Sequence, residues 1–268
     1  MQVDFYIPKK LPGLIELIWK QCSNTPQKWK ILPSGKLELI FRMGPASQMR
    51  SARHINDHNS PLHYFCFLSG LHTRPLEIGF DSFYYIGVQM KPIAAKALFG
   101  IPVNKIRDFY IEGSNLFTSL NRLEEELNAK SSFVEIAKHL ENHLHSMIRE
   151  SSDLHLALSL DHAVEKITTA APLNQFDNLE RMIGYSRTHT FRLFNDWFGL
   201  APHSVLRLRQ FVRSIQLIHQ SEGSLTQAGC DAGYYDQPHF IKSFKEFAGM
   251  TPKQYQDQMT DMPGQLPV

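Results

Sequence analysis

The sequence predicts an α+β protein: a β-rich, sandwich- or barrel-like N-terminal domain with helices, followed by an all-α domain. Three observations carry this. The first ~90 residues are aromatic and β-branched runs broken by turn residues. From Pro92 onward, apolar residues recur at three- and four-residue spacing. Within the helical half, residues 187–202 repeat as residues 237–252, which points to two helix-turn-helix units joined by a long helix.

The strands are expected at 14–22, 29–32, 36–43, 63–68 and 83–90, between breaks at Pro12-Gly13, Pro33-Ser34-Gly35 and Gly44-Pro45. Such spacing suits a sandwich or small barrel. Residues 92–100 read as a short helix ended by Gly100, and 116–130 and 131–150 as amphipathic helices that are candidates for a dimer contact. The stretch Glu150-Ser151-Ser152-Asp153 is the expected boundary, giving domains over 1–150 and 154–257. Residues 154–170 form a further amphipathic helix. Helices 175–186 and 187–197 make the first pair, 202–220 is the connector, and 225–235 with 236–247 make the second pair. The tail 258–268, with Pro263, Gly264 and Pro267, is expected to be disordered.

The repeat has an offset of 50: His189 and His239, Arg192 and Lys242, Phe194 and Phe244, Gly199 and Gly249, Pro202 and Pro252. Each copy follows a Gly-Tyr pair, Gly184-Tyr185 and Gly233-Tyr234. A helix pair joined at a glycine turn is the shape that sets its second helix into the major groove of DNA. Ser186 and Asp236 suit the N-cap positions, and Pro238 suits a first helical turn. Phe194 and Phe244 then face inward. Ser186, Arg187, Thr188, Phe191 and Arg192 form the first candidate contact set, and Gln237, Pro238, His239, Lys242 and Lys245 the second. Arg192 and Lys242 are of the type that reaches guanine O6 and N7 or a phosphate, Gln237 suits adenine, His239 a base or phosphate, and Lys245 a phosphate. Heads fixed by the connector would address major-groove faces one turn, ~34 Å, apart.

Charge alone argues weakly for this. The chain has 28 basic and 26 acidic residues, a net charge of +2. Residues 174–256 hold nine basic against seven acidic side chains. Nucleic-acid affinity rests largely on neutralised phosphates, so placement of the charges must decide. The bland alternative is a helical bundle that docks a protein partner, with Arg192 and Lys242 as solvated charges.

The chain resembles the AraC/XylS family of bacterial transcription regulators over about residues 157–257. The first unit carries Gly184-Tyr185-Ser186, Arg192, Phe194 and Gly199-Leu200-Ala201-Pro202. The second carries Gly233-Tyr234, Phe240, Phe244-Lys245, Gly249-Met250-Thr251-Pro252 and Tyr255. The family's connector arginine corresponds to Arg209, which the resemblance adds to the DNA-contacting set. The front half resembles a sensor domain of some members, through residues 31–35, 37–44, Gly70, Arg74-Pro75 and 87–102, without implying a known ligand. Four places depart from the family pattern. Thr190 stands where Leu is usual, and Phe191 at a usually polar position. Either Phe191 touches thymine methyls or helix 187–197 is rotated. Ala228-Gly229 replaces an Ile-Ala pair, and Ile215 a small residue.

The sequence thus points to a sequence-specific regulator acting on double-stranded DNA, modulated through its front domain. It admits RNA polymerase, a second copy of the chain and an unidentified small-molecule effector as partners. It leaves activation against repression open. No glycine-rich phosphate loop, G-x-S-x-G elbow or paired Cys-x-x-Cys is present, so no catalytic residue, cofactor or metal is assigned. His139, His143 and His145 read as a solvated helix face, and His54, His58 and His63 near Asp57 as a polar loop. The alternative reading takes that loop as a metal or catalytic site in a front domain fused to a DNA anchor. Trp19, Trp29, Tyr64, Phe65, Phe67, Phe83, Tyr84 and Tyr85 read first as core and second as the lining of a ligand cavity. Cys22, Cys66 and Cys230 are odd in number and far apart, which predicts free thiols in a reducing cytoplasm. The first residues lack a signal-peptide pattern, and no apolar run reaches the ~20 residues of a membrane helix.

Overall fold

Alternation along the strands of the first 112 residues builds two antiparallel sheets that face each other across an aromatic cavity. The structure is a computed structural model that describes residues 2–25, 27–43, 53–54, 65–80, 83–149, 152–170, 185–220 and 224–268. The strands are β1 (Gln2–Tyr6), β2 (Ile15–Ser23), β3 (Gln27–Ile31), β4 (Leu37–Arg42), β5 (Arg53–His54), β6 (Cys66–Ser69), β7 (Leu76–Phe80), β8 (Phe83–Met90), β9 (Tyr110–Glu112) and β10 (Gln265–Pro267). One sheet has the order β1-β2-β8-β4-β6-β9 and the other β10-β3-β7-β5.

Side chains on a strand alternate between faces. On the six-stranded sheet, Leu37, Leu39 and Phe41 of β4 and Ile86 and Val88 of β8 are buried in the main core. Glu38, Ile40, Tyr85 and Gln89 point the other way and line the cavity. Gly87 pairs with Trp19 in register, and a Cβ at Gly87 would lie 2.0 Å from the indole. Only glycine lets Trp19 lie across the sheet there.

The front domain continues with α1 (Ile93–Phe99), closed by Gly100 at φ 71°, then α2 (Leu120–Asn128) and α3 (Phe133–Ser146). The second and third helices are shorter than the periodicity predicts. Residues 113–115 form a 3₁₀ turn ahead of α2, and Ser132 makes a capping box with Glu135 that fixes the start of α3. Leu123, Leu127, Ile136, Ala137, Leu140 and Leu144 are buried within the chain itself, so the apolar stripes seen as a dimer contact serve the protomer's own core. Glu141 of α3 accepts from Tyr6 Oη at 2.8 Å and from the Lys10 amide at 2.6 Å, tying β1 to α3.

The helical half comprises α4 (Ser152–Ala170), α5 (Arg187–Phe198), α6 (Pro202–Gln220), α7 (Leu225–Asp231), α8 (Gln237–Ala248) and α9 (Pro252–Gln258). The expected helix 175–186 lies outside the described residues apart from Tyr185 and Ser186. Helix α4 packs against both α1 and α6, and one hydrophobic cluster runs from the six-stranded sheet through α1 to the connector. No helix among the described residues is long and apolar enough to cross a membrane. Cys22, Cys66 and Cys230 are free thiols.

The tail corrects the sequence reading. Residues 265–267 are not disordered but form β10, antiparallel to β3, with Leu266 buried and opposite Lys30. The physical reason is an open edge: β3 has unpaired backbone groups on that side, which the tail satisfies. Leu32 N donates to Gly264 O at 2.8 Å, and Val268 N to Lys28 O at 3.1 Å.

Candidate nucleic-acid interface

Both second helices of the helix-turn-helix units are punctuated alike. The Ser186 hydroxyl accepts from the His189 amide at 3.4 Å at the start of α5, and the Asp236 carboxylate accepts from the His239 amide at 2.8 Å at the start of α8. Pro238 occupies the first turn of α8, where its missing N–H costs nothing. Gly199 and Gly249 end the two helices in the left-handed region, at φ 75° and 69°, which L side chains resist.

The buried faces match residue for residue at the offset of 50, and the outer faces match through the first two turns, after which Asn195 and Asp196 are half-buried where Lys245 and Glu246 are exposed. Thr190, Leu193, Phe194, Trp197 and Phe198 of α5 are buried, as are Phe240, Ser243, Phe244, Phe247 and Ala248 of α8. Arg187, Thr188, Phe191 and Arg192 are exposed on one, and Gln237, Pro238, Ile241, Lys242 and Lys245 on the other. Thr190 takes the inward position equivalent to Phe240, so α5 is not rotated and Phe191, 36% exposed, belongs to the outer face. His189 and His239 are half-buried, each against the tyrosine that precedes its helix, with Tyr185–His189 ring centroids 4.7 Å apart and Tyr234–His239 5.4 Å apart. Arg192 Nη2 lies 3.1 Å from His189 Nδ1, and the Arg187 guanidinium lies over the Phe191 ring at 5.7 Å.

The connector α6 packs against α5, α7 and α8. At 1.5 Å per residue its 19 residues span about 28 Å, comparable to one turn of duplex. Phe211 stacks on Phe247 and meets Phe244 edge-on, both at 5.1 Å. Burying each such ring stabilises by roughly 1.5–3 kcal/mol. Arg207 bonds Glu246 of α8 through both guanidinium nitrogens, at 3.2 and 2.5 Å. The second unit's Gly229, where the family pattern has alanine, also has a reason: a Cβ there would meet the Phe240 ring at 2.7 Å. The glycine lets α8 approach α7 closely.

The Arg209 guanidinium bonds the buried carboxylate of Asp161 in α4, and Lys91 Nζ bonds the same carboxylate at 2.7 Å. Burial pushes the Asp161 carboxyl up, but Arg209 and Lys91 outweigh it and hold the group below its ordinary value. A guanidinium paired with a desolvated carboxylate positions the connector. Arg213 is likewise turned inward, donating to Thr168 O at 2.7 Å. The exposed cations of the two recognition helices are therefore Arg187, Arg192, Lys242 and Lys245.

Two features escaped sequence reasoning. Tyr235, 87% exposed, stands directly before the cap of α8 and flanks its outer face. The doubled Tyr234-Tyr235 after Gly233 was the available signal. In addition, the C-terminal half of α5 docks on the front domain: Lys96 bonds Asp196 at 3.3 Å and lies over Trp197 at 4.8 Å. Among the described residues no cluster of three metal-ligating side chains occurs. His139 instead pairs with Glu126 at 2.9 Å, His143 packs on Phe117, and the expected loop around His58 and His63 lies outside the described residues.

Two helices with matching inner faces, braced by one connector, give the helical half a duplicated architecture. Residues 179–258 match the family described as Helix-turn-helix domain, and residues 6–112 the family described as Domain of unknown function (DUF6597). The chain's C-terminal domain is thus a helix-turn-helix domain. It is similar to an uncharacterized HTH-type transcriptional regulator of Haemophilus influenzae, 26% identical over 84 residues, or 31% of this chain and 28% of that protein. It is also similar to the HTH-type transcriptional regulator ArgR of Pseudomonas aeruginosa, 26% identical over 82 residues, 31% of this chain and 25% of that protein. The chain thus spans about a quarter of the length of these relatives. Among solved structures, ToxT of Vibrio cholerae aligns over 97% of this chain and 98% of its own, with 12% identity and a TM-score of 0.44, too loose a likeness to carry fold or function.

Proposed function

We propose that the protein is a sequence-specific transcription regulator that reads two adjacent major-groove segments of double-stranded DNA. The observation that carries this is the match of the buried faces of α5 and α8, and of their outer faces through the first two turns, across one connector. The contact set is Ser186, Arg187, Thr188, Phe191 and Arg192 on one head, and Gln237, Pro238, His239, Lys242 and Lys245 on the other. Arg192 and Lys242 read bases or phosphates at equivalent positions, and Phe191 and Ile241 offer apolar contact to thymine methyls. The division of labour follows the two regions, sensing over 1–150 and reading over 154–257. The front domain modulates the heads, and no catalytic step is assigned to it. A cytoplasmic location, contact with RNA polymerase and pairing of two copies all fit this role.

The test is a salt titration of duplex binding. Four exposed cations that neutralise phosphates give a slope of log affinity against log salt of about −3 to −4. A protein-docking bundle shows no duplex binding to titrate, and that result would remove the proposal.

A further inference from the structure

The cavity between the two sheets has a volume of about 280 Å³. Its walls are aromatic and aliphatic: Trp19, Trp29, Phe67, Phe83 and Tyr85 with Ile40 and Ile78. One wall is not from the front domain at all. Met262, Pro263, Gly264 and Gln265, from the segment that follows the second helix-turn-helix unit, close it.

The charged groups in the lining offer a guest no free cation. Lys36 pairs with Glu16. Burial lowers the His72 imidazole to about 4, against the pull of Asp108. Burial raises the Glu38 carboxyl to about 7, although Gln89 and Trp19 donate to it at 2.9 and 3.0 Å. A carboxylate guest would therefore meet a second acid and no available cation. Two polar atoms of the lining residues lack partners among the described residues: Trp29 Nε1 and His72 Nδ1, both shut off from solvent. Neither atom is open to the cavity, so the guest is selected by its rings and its lack of charge.

The tail wall is also wired to the reading domain. Gly264 O accepts from Leu32 N of the front domain, while Gly264 N donates to Tyr255 Oη of α9 at 2.9 Å. That same hydroxyl pairs with His219 Nε2 of the connector at 2.7 Å. One residue of the cavity wall is thus bonded at once to the front sheet and to the helix-turn-helix domain.

We propose that the cavity binds a neutral, ring-bearing molecule, and that this guest locks β10 onto β3, holding the second helix-turn-helix unit against the front domain. The proposal rests on the reading of a DNA-binding regulator modulated through its front domain, and adds the class of guest and the route. A guest that touches the docked tail binds the docked state more tightly, and by linkage the docked tail strengthens the guest.

The probe is prodan, a neutral naphthalene carrying a carbonyl, followed by its blue shift on the full chain. Saturable binding at one per chain is expected. Deleting 262–268, or substituting Leu266→Asp, weakens it about tenfold or more. The neutral ketone 2-acetylnaphthalene displaces prodan at a concentration about tenfold lower than its near-isostere 2-naphthoate. In the intact protein, saturating prodan slows amide hydrogen exchange over 264–268. Absence of saturable binding, equal displacement by the carboxylate, or tail-deleted protein that melts cooperatively yet binds prodan unchanged overturns the proposal. Should both tail variants fail to fold, unchanged exchange over 264–268 overturns it. Duplex binding of the unliganded protein is measured alongside: its absence removes the regulator reading and leaves the prodan result to stand or fall alone.

Discussion

The two recognition helices present matching outer faces through their first two turns but are held in place by different means. Helix α8 rests on the connector, through Phe244 and Phe247 against Phe211 and through Glu246 to Arg207. Helix α5 rests partly on the front domain, through Asp196 and Trp197 on Lys96 and through Gly199, whose α-carbon lies close to Val103 and Leu71. The second head is tied to the front domain mainly by backbone, since β10 pairs with β3 only after α9 has ended. A rearrangement of the front domain therefore reaches the first head by side-chain packing and the second by release or capture of a strand. That difference gives the duplicated units distinct attachments to one front domain.

The largest effect comes from breaking the anchor both heads share. Asp161→Ala leaves Lys91 and Arg209 facing a half-buried site without their counter-charge. Removing one partner of such a pair costs about 3–5 kcal/mol, read as a fall in the urea midpoint. The same group sets a pH dependence. Its folded value is depressed, so its stabilisation is present above the unfolded carboxylate range and is lost as pH falls through the folded value. The Asp161→Ala variant should therefore lose stability less steeply than the parent below about pH 4. Parallel acid curves would show that the network contributes nothing to the connector's position.

Next comes a direct contrast of the two heads at their C-caps. Gly199→Ala and Gly249→Ala each place a Cβ in the left-handed region, costing about 1–2 kcal/mol. At Gly199 the new atom would also lie 2.7 Å from Val103 Cγ1, whereas at Gly249 its nearest neighbour is Lys30 Nζ at 3.8 Å. Overpacking adds about 1–3 kcal/mol at the first site alone. Thermal unfolding of the two variants measures the gap. Equal losses would mean that α5 is no more tightly docked on the front domain than α8.

At the DNA surface the contrast should vanish. Arg192→Ala and Lys242→Ala each weaken binding to the preferred duplex by about 1–3 kcal/mol. Lys245→Ala lowers affinity for all duplexes alike and reduces the salt slope by about 1. Competition binding with specific and scrambled duplexes separates these outcomes. A loss confined to one head would show that only one unit reads bases.

How much of this the sequence disclosed follows from the range of the interactions. The helical half was legible because its signals are local: caps, glycine stops and inward phenylalanines repeat at one offset, and the faces of α5 and α8 follow from 3.6-residue periodicity. Strands β2, β4 and β8 were legible from their apolar runs, while β1, β7 and β10 were not. Residues 265–267, with one apolar side chain and a proline, show no period of two, and their strand state is imposed by the free edge of β3. Arg209 entered the contact set through the resemblance, which carries no sign of its counter-ion Asp161, 48 residues away in sequence. The aromatic set divided in a way no pattern records. Phe65 and Tyr84 pack on the main core, while Phe67, Phe83 and Tyr85 form a second buried cluster with Trp19 and Trp29 packed against it, so the core reading holds for these five and they line the cavity as well; Tyr64 lies outside the described residues. Alternation puts a ring on a face; the gap between two sheets decides whether that face meets protein or space.

The smallest expected effects separate the heads once more, now at their N-caps. The Asp236 carboxylate accepts at 2.8 Å and carries a charge that favours the helix dipole, whereas the Ser186 hydroxyl accepts at 3.4 Å and is neutral. Asp236→Ala should cost about 1 kcal/mol and Ser186→Ala about 0.5 kcal/mol. Salt screens the charge–dipole part alone, so raising ionic strength should narrow the difference. Urea titrations at two salt concentrations measure this. A difference that persists at high salt would place the advantage of the second cap in its shorter hydrogen bond. A difference that disappears would place it in the aspartate's charge, and would mean that the second head meets an anionic backbone with an acid already seated at its own positive end.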